Sequence, residues 1–426
     1  PFFFIILGYG GTSMFDITRL MQISESASLS FTKVQSPYDS MSLEEACMFS
    51  RVQLLESEIE YRNLIDECAN DMIDAYYNST QGIVLTEAAE AEQKEKTVSW
   101  FTKVKEWFVN LFNRVVEWFK ALGSKIAGLF KKSGKQDNTT KPDANDKNDK
   151  PEEKNVEKNT QQPSTSKEEP KVQPENKPEP KNRNITFTIK YAKGFNITNL
   201  SKINGVTDDI ASDGLDIMQE TYTLMHELKE VSGSGFNNSY NSRLSELISS
   251  YTTEKGKREE KLADKLLGYV NDVFVSSKNY SDYSEYLKDI KSSIETKEVT
   301  VSTNNIDSQH IDKTITQLIT SESGVKLDMD LTRNNSDILL TAINKSISYA
   351  DKMKKSATRA MDNIITYFKN ANIDDSKMIN FAKSMVSSAS KEINKLTSFQ
   401  VMLMNSAITV VQAYKVSYAN FANALT

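Results

Sequence analysis

Residues 97–132 read TVSWFTKVKEWFVNLFNRVVEWFKALGSKIAGLFKK, and all three tryptophans of the chain lie there, at Trp100, Trp107 and Trp118. At the helical period, Trp100, Val104, Trp107, Leu111, Val115, Trp118 and Leu122 form one row. Phe101, Phe108, Phe112, Phe119, Ile126 and Phe130 form a second row beside it, so the apolar face is broad. Glu106, Asn110, Asn113, Glu117, Lys120, Ser124 and Lys131 occupy the other side. A helix of this kind must bury its face in something.

Lipid and protein are both open as that something. Residues 98–135 carry eight Lys/Arg against two Asp/Glu, or +6, in a chain whose overall charge is −6. A basic amphipathic helix rich in Trp and Phe is drawn to an anionic bilayer surface, and tryptophan beside lysine is an interfacial pattern. The expected membrane-binding residues are Trp100, Phe101, Trp107, Phe108, Phe112, Trp118 and Phe119, with Lys103, Lys105, Lys120, Lys125, Lys131 and Lys132. The same face equally suits a helix packed in a bundle core. Charges interrupt every window of about 20 residues that a spanning helix needs. Gly123 and Gly128 weaken the last turns, each by about 1 kcal/mol relative to Ala.

The chain has 426 residues, room for two or three domains. It begins PFFFIILGYGGTS, with no basic n-region and an apolar run too short for a signal peptide. Met14 is the expected start, with residues 1–13 a translated leader. Two cysteines, Cys47 and Cys68, make neither a disulfide framework nor a metal site.

Residues 42–78 show a helical pattern opened by Ser42 and Glu45, a capping box. Its apolar residues, Met48, Val52, Leu55 and Ile59, then Tyr61, Ile65, Cys68, Met72 and Tyr76, drift around the helix, which suits more than one neighbour. Residues 84–96, rich in Ala and Glu, lead into the Trp-rich segment. Residues 133–184 hold seven of the nine prolines, with 11 basic and 11 acidic residues, and read as a disordered linker. Alternation at Ile185, Phe187 and Ile189 predicts a strand, Gly194 and Gly205 mark turns, and the helical period returns from Ser212. Residues 298–302 and 325–331 alternate as two strands able to pair with each other.

The C-terminal part predicts a long αα-hairpin. Leu339, Ile343, Ser346, Ala350, Met353, Ala357, Met361, Ile364 and Phe368 line the first arm, and a polar break spans 370–375. Met378, Ala382, Met385, Ala389, Ile393, Leu396, Leu403, Ala407, Val410, Tyr414, Tyr418 and Phe421 line the second, with a near-heptad period. Small residues at the seam (Ala350, Ala357, Ala382, Ala389) suit close helix approach. The expected fold class is mainly α, with a few short strands and a coiled-coil-like hairpin. Four parts follow: 1–13 leader, 14–132 helical region, 133–184 linker, and 185–426 helical domain.

Little points to chemistry. His226 and His310 are the only histidines, and the fourth residue after His226-Glu227 is Glu230, one ligand short of a metalloprotease helix. Asp328 and Asp330 share the wet face of the expected strand. No Gly-rich phosphate loop or nucleophile elbow is present. The expectation is no enzyme, no cofactor and no small-molecule substrate. The balanced linker argues against nucleic acid.

The helical N-terminal piece, the Trp-rich helix, the Lys/Glu/Pro linker and the Ala/Ser/Met-rich hairpin together resemble the layout of internal or minor virion proteins of large tailed bacteriophages. The resemblance implies a structural protein of the particle, with other virion proteins or itself as helix-packing partners and an anionic membrane surface as a further contact. A cytoplasmic scaffold with a buried Trp-rich helix, or a surface or toxin-like protein, are the alternatives.

Overall fold

The computed structural model describes residues 41, 43–80, 87–131, 183–197, 199–233, 238–302, 311–327, 334–370 and 376–425. The fold is mainly helical, as expected. The described helices are α1 (Leu43–Thr80), α2 (Glu87–Lys131), α3 (Lys202–Gly233), α4 (Asn238–Val273), α5 (Tyr283–Ser292), α6 (Ile311–Ser323), α7 (Asn334–Asn370) and α8 (Ser376–Leu425). Four strands join them: β1 (Asn184–Ala192), β2 (Phe195–Ile197), β3 (Phe274–Ser276) and β4 (Ile294–Ser302). No proline occurs after residue 180, so nothing in α3 to α8 removes a ladder donor or forces a kink by that route.

α8 is the pillar. At 50 residues it spans about 75 Å, and it touches α1, α2, α3, α4, α5, α6 and β1. Every residue of its expected apolar row is buried except Tyr418, which is 38% exposed. The row expected on α7 is buried throughout.

The hairpin forms, but its tightest seam lies elsewhere. Tyr367 Oη sits 3.5 Å from Met378 Sδ near the turn, and Gln400 Nε2 donates to Ser346 Oγ at 3.0 Å farther along, an antiparallel register. The backbone of α7, however, runs beside α2 most extensively and then beside α3, rather than beside α8. At the α3 contact Gly214 lies against Tyr349 of α7, where a Cβ would overlap the Tyr349 hydroxyl unless that ring shifted.

β1 and β4 pair antiparallel over their whole length, from Asn184 opposite Ser302 to Ala192 opposite Ile294. β2 pairs with β3. A turn at Gly194, with φ of 77°, joins β1 to β2. Asn196 of β2 is fully buried and donates to Ser323 Oγ at 2.9 Å and to the Val325 carbonyl at 2.7 Å, while Tyr414 of α8 donates to its Oδ1. That knot fixes the end of α6 and β2 to the pillar, with every buried group of Asn196 partnered.

Several expectations change. Gly205 lies inside α3, which begins ten residues before Ser212, because a single glycine does not end a helix with buried Ile203, Val206 and Ile210 around it. Strand β4 pairs with β1; of the strand expected at 325–331, residues 325–327 are not in strand conformation and 328–331 lie outside the described residues. Val325 and Leu327 are buried in non-strand conformation, with Leu327 N bonded to Thr320 Oγ1 at 3.1 Å. α6 carries a helix that the sequence reading passed over. His226 is an exposed helix residue, 3.6 Å from Glu230. The leader, the capping Ser42, the linker at 133–182, His310, Asp328 and Asp330 lie outside the described residues, as do the side chains of Cys47 and Cys68.

Candidate functional site

The Trp-rich segment is one continuous helix as far as Lys131, within α2, and its apolar rows face protein as far as Leu122 and Ile126. Trp100, Phe101, Phe108, Phe112 and Phe119 are each at most 1% exposed, Trp118 2% and Trp107 3%. α2 runs antiparallel to α7 for most of its length. Phe101 stacks on Phe368 at 5.2 Å, Lys105 pairs with Asp362 at 2.6 Å, and Asn113 accepts from Lys354 at 3.0 Å. Gly123 then comes to Ile343.

α1 covers a second side, also antiparallel. Trp100 Nε1 donates to the Leu64 carbonyl at 2.9 Å and Trp107 Nε1 to the Ser57 carbonyl at 3.0 Å. Arg114 reaches Ser57 Oγ at 2.7 Å and Glu60 at 2.9 Å. From α8, the buried Lys383 stands 5.8 Å over the Trp100 ring, a cation–π contact. The apolar circumference of α2 thus meets α1, α7 and α8.

The expected membrane-binding set therefore divides. Its seven aromatic residues are buried in the core of the described structure, against α1, α7 and α8. Of its lysines, Lys103 and Lys120 are exposed, Lys105 is tied to Asp362, and Lys125 donates to the Met41 carbonyl. The side chain of Lys131, and Lys132, lie outside the described residues. Helices from both sides of the 133–184 segment contribute buried residues to one hydrophobic core.

Concave surface among the described residues includes a groove and a cleft. A groove of about 470 Å³ between α2 and α7 is lined by Val109, Asn113, Lys354, Lys355, Thr358, Arg359 and others. Its Lys354 is held by Asn113 and lies 3.7 Å from Asp351. A smaller cleft of about 230 Å³ is lined by Glu259, Leu262, Lys391, Glu392 and Lys395. There Arg258 of α4 grips Glu392 with both ends of its fork, at 2.6 and 2.9 Å, and also binds Glu220.

That clamp is built to hold shape. Glu392 is 2% exposed and takes a third bond from Ser388 Oγ at 3.1 Å. Burial works to lower the Arg258 pKa, but the bond and charge of Glu392, with Glu220 behind, raise it on balance. A carboxylate held by a guanidinium fork and a hydroxyl is fixed in one orientation. Among the described residues, no group of three His, Cys, Asp or Glu side chains converges as a metal site, and no helix is long and apolar enough to cross a membrane.

The sequence reading missed Arg258, Glu220 and Glu392. They lie on three helices far apart in the chain, and no local spacing signals their meeting. Compared with family models, curated proteins and solved structures, the chain matches none.

Proposed function

We propose that the chain is a non-enzymatic structural protein in which the Trp-rich helix is the central packing element of a helical body. The observation that carries this reading is the use of the aromatic face of α2 as core, with two of three indole N–H groups given to α1 carbonyls. An interfacial tryptophan keeps its N–H for water and headgroups. Here that group holds another helix. The setting that goes with this role, from the resemblance in layout, is a bacteriophage particle.

All three tryptophans report on α2, so their emission tests the reading directly. Mixed with anionic vesicles carrying brominated acyl chains, the folded full-length protein should keep its emission unquenched. Strong quenching without loss of the helical signal would place α2 in lipid and overturn the reading. Mass spectrometry of purified particles tests the setting separately.

A further inference from the structure

α1 carries a second apolar row, on the side away from the core. Met48, Val52, Leu55 and Ile59 follow at intervals of four, three and four, the spacing of a coiled-coil seam. Leu55 is 57% exposed, Ile59 45% and Met48 37%. Ala46, Ser50, Ser57 and Tyr61 form the buried side. At about 100° per residue, the outer row sits roughly 140–220° around the helix from Ser57. This explains how the apolar residues of α1 drift yet leave nothing wasted on the inner side. An apolar row of this length facing water marks an interaction surface.

We propose that this row pairs in parallel with the same row of a second copy. With Val52 and Ile59 at the a positions and Met48 and Leu55 at d, β-branched residues meet at a and leucine meets at d. That choice favours two parallel strands. The flanks agree in charge. By sequence, position 51 is an arginine at g and position 56 a glutamate at e, opposite charges at the two flanking positions that a parallel register matches. The two-fold relation gives that pairing twice. Two heptads make a small interface, in the class of weak, transient contacts. An anionic lipid surface fits poorly, because Glu56, Glu58, Glu60 and Asp66 surround the row with only Arg51 and Arg62 against them. The pairing deepens the structural reading and rests on it for its purpose, yet it is read by different variants, so either can fail alone.

Sedimentation velocity on the full chain, over a concentration series into the high micromolar range, tests it. The expected result is a rise toward twice the mass of one chain, abolished by Leu55→Glu with Ile59→Glu while the circular dichroism melt stays put. Glu56→Arg should weaken pairing and Arg51→Glu combined with it should restore it. Met48→Cys, with Cys47 and Cys68 replaced by serine, should cross-link to itself on mild oxidation. A monomer at every concentration overturns the proposal. So does a dimer indifferent to Leu55→Glu, or one that forms only when residues 1–40 are removed, which would make those residues the occupant.

Discussion

Trp107 gives its indole N–H to the carbonyl of Ser57 at 3.0 Å, while its ring lies 5.1 Å from Tyr61 on the same helix. One side chain thus joins α1 to α2 by a polar and an apolar contact at once. By contrast, the Trp118 indole N–H is buried without a hydrogen-bond partner among the described residues.

This contrast predicts different costs for the same substitution. Trp107→Phe loses a hydrogen bond worth about 1 kcal/mol on top of lost volume. Trp118→Phe loses similar volume but removes an unpaired buried donor, which offsets about 1–3 kcal/mol. Urea unfolding should find Trp107→Phe the more destabilised. Equal or reversed losses would mean the indole bonds do not matter.

Gly214→Ala should be destabilising by about 1–3 kcal/mol, the range for overpacking, because its methyl group has no room beside the Tyr349 hydroxyl. That hydroxyl is itself buried without a hydrogen-bond partner among the described residues. Tyr349→Phe alone should be neutral or mildly stabilising, and should recover part of the Gly214→Ala loss. A double-mutant cycle reads the coupling, and strict additivity would contradict the contact.

Arg258→Met leaves Glu392 charged and buried, a loss of about 3–5 kcal/mol. Adding Glu392→Leu should return most of it, since the apolar pair carries no stranded charge. Calorimetric melting of the two variants checks this; a double variant no better than the single would show that the clamp contributes more than charge balance.

Buried and half-buried tyrosines set an alkaline limit. Tyr280 is pushed from 10.0 up to about 12, first by burial and then by its hydrogen bond to Asp289; Tyr283 is also pushed up to about 12, by burial and the charge of Asp282. Burial raises Tyr286, Tyr349 and Tyr414 as well. Because the folded value lies above the unfolded one, this stabilisation is whole below pH about 10 and is lost as pH rises through about 12. Tyrosinate absorbance should rise together with loss of helical signal in that window. Full ionisation with the fold intact would contradict the burial.

Periodicity carried most of the helix assignments. The rows on α2, α7 and α8 were readable because a 3.6-residue repeat records burial whatever the neighbour is. It does not record which neighbour. The rows of α2 looked the same for lipid as for α7, and only tertiary placement of Phe368, Leu64 and Ser57 separates the two. Val325 and Leu327 alternate like a strand, yet the Asn196–Ser323 knot anchors Val325 in a non-strand conformation. Gly205 looked like a turn because local propensity omits the core contacts of Ile203 and Val206. The Arg258 clamp had no local signal at all.

Replacing Trp107, Phe108 and Phe112 together with glutamate tests the central claim that α2 is core. The three are 3%, 0% and 1% exposed. Three buried charges cost several kcal/mol, so the full-length variant should lose its cooperative helical melt and unfold or aggregate. A variant that melts as the parent does, with only its affinity for anionic vesicles reduced, would show that these side chains serve lipid and not the core.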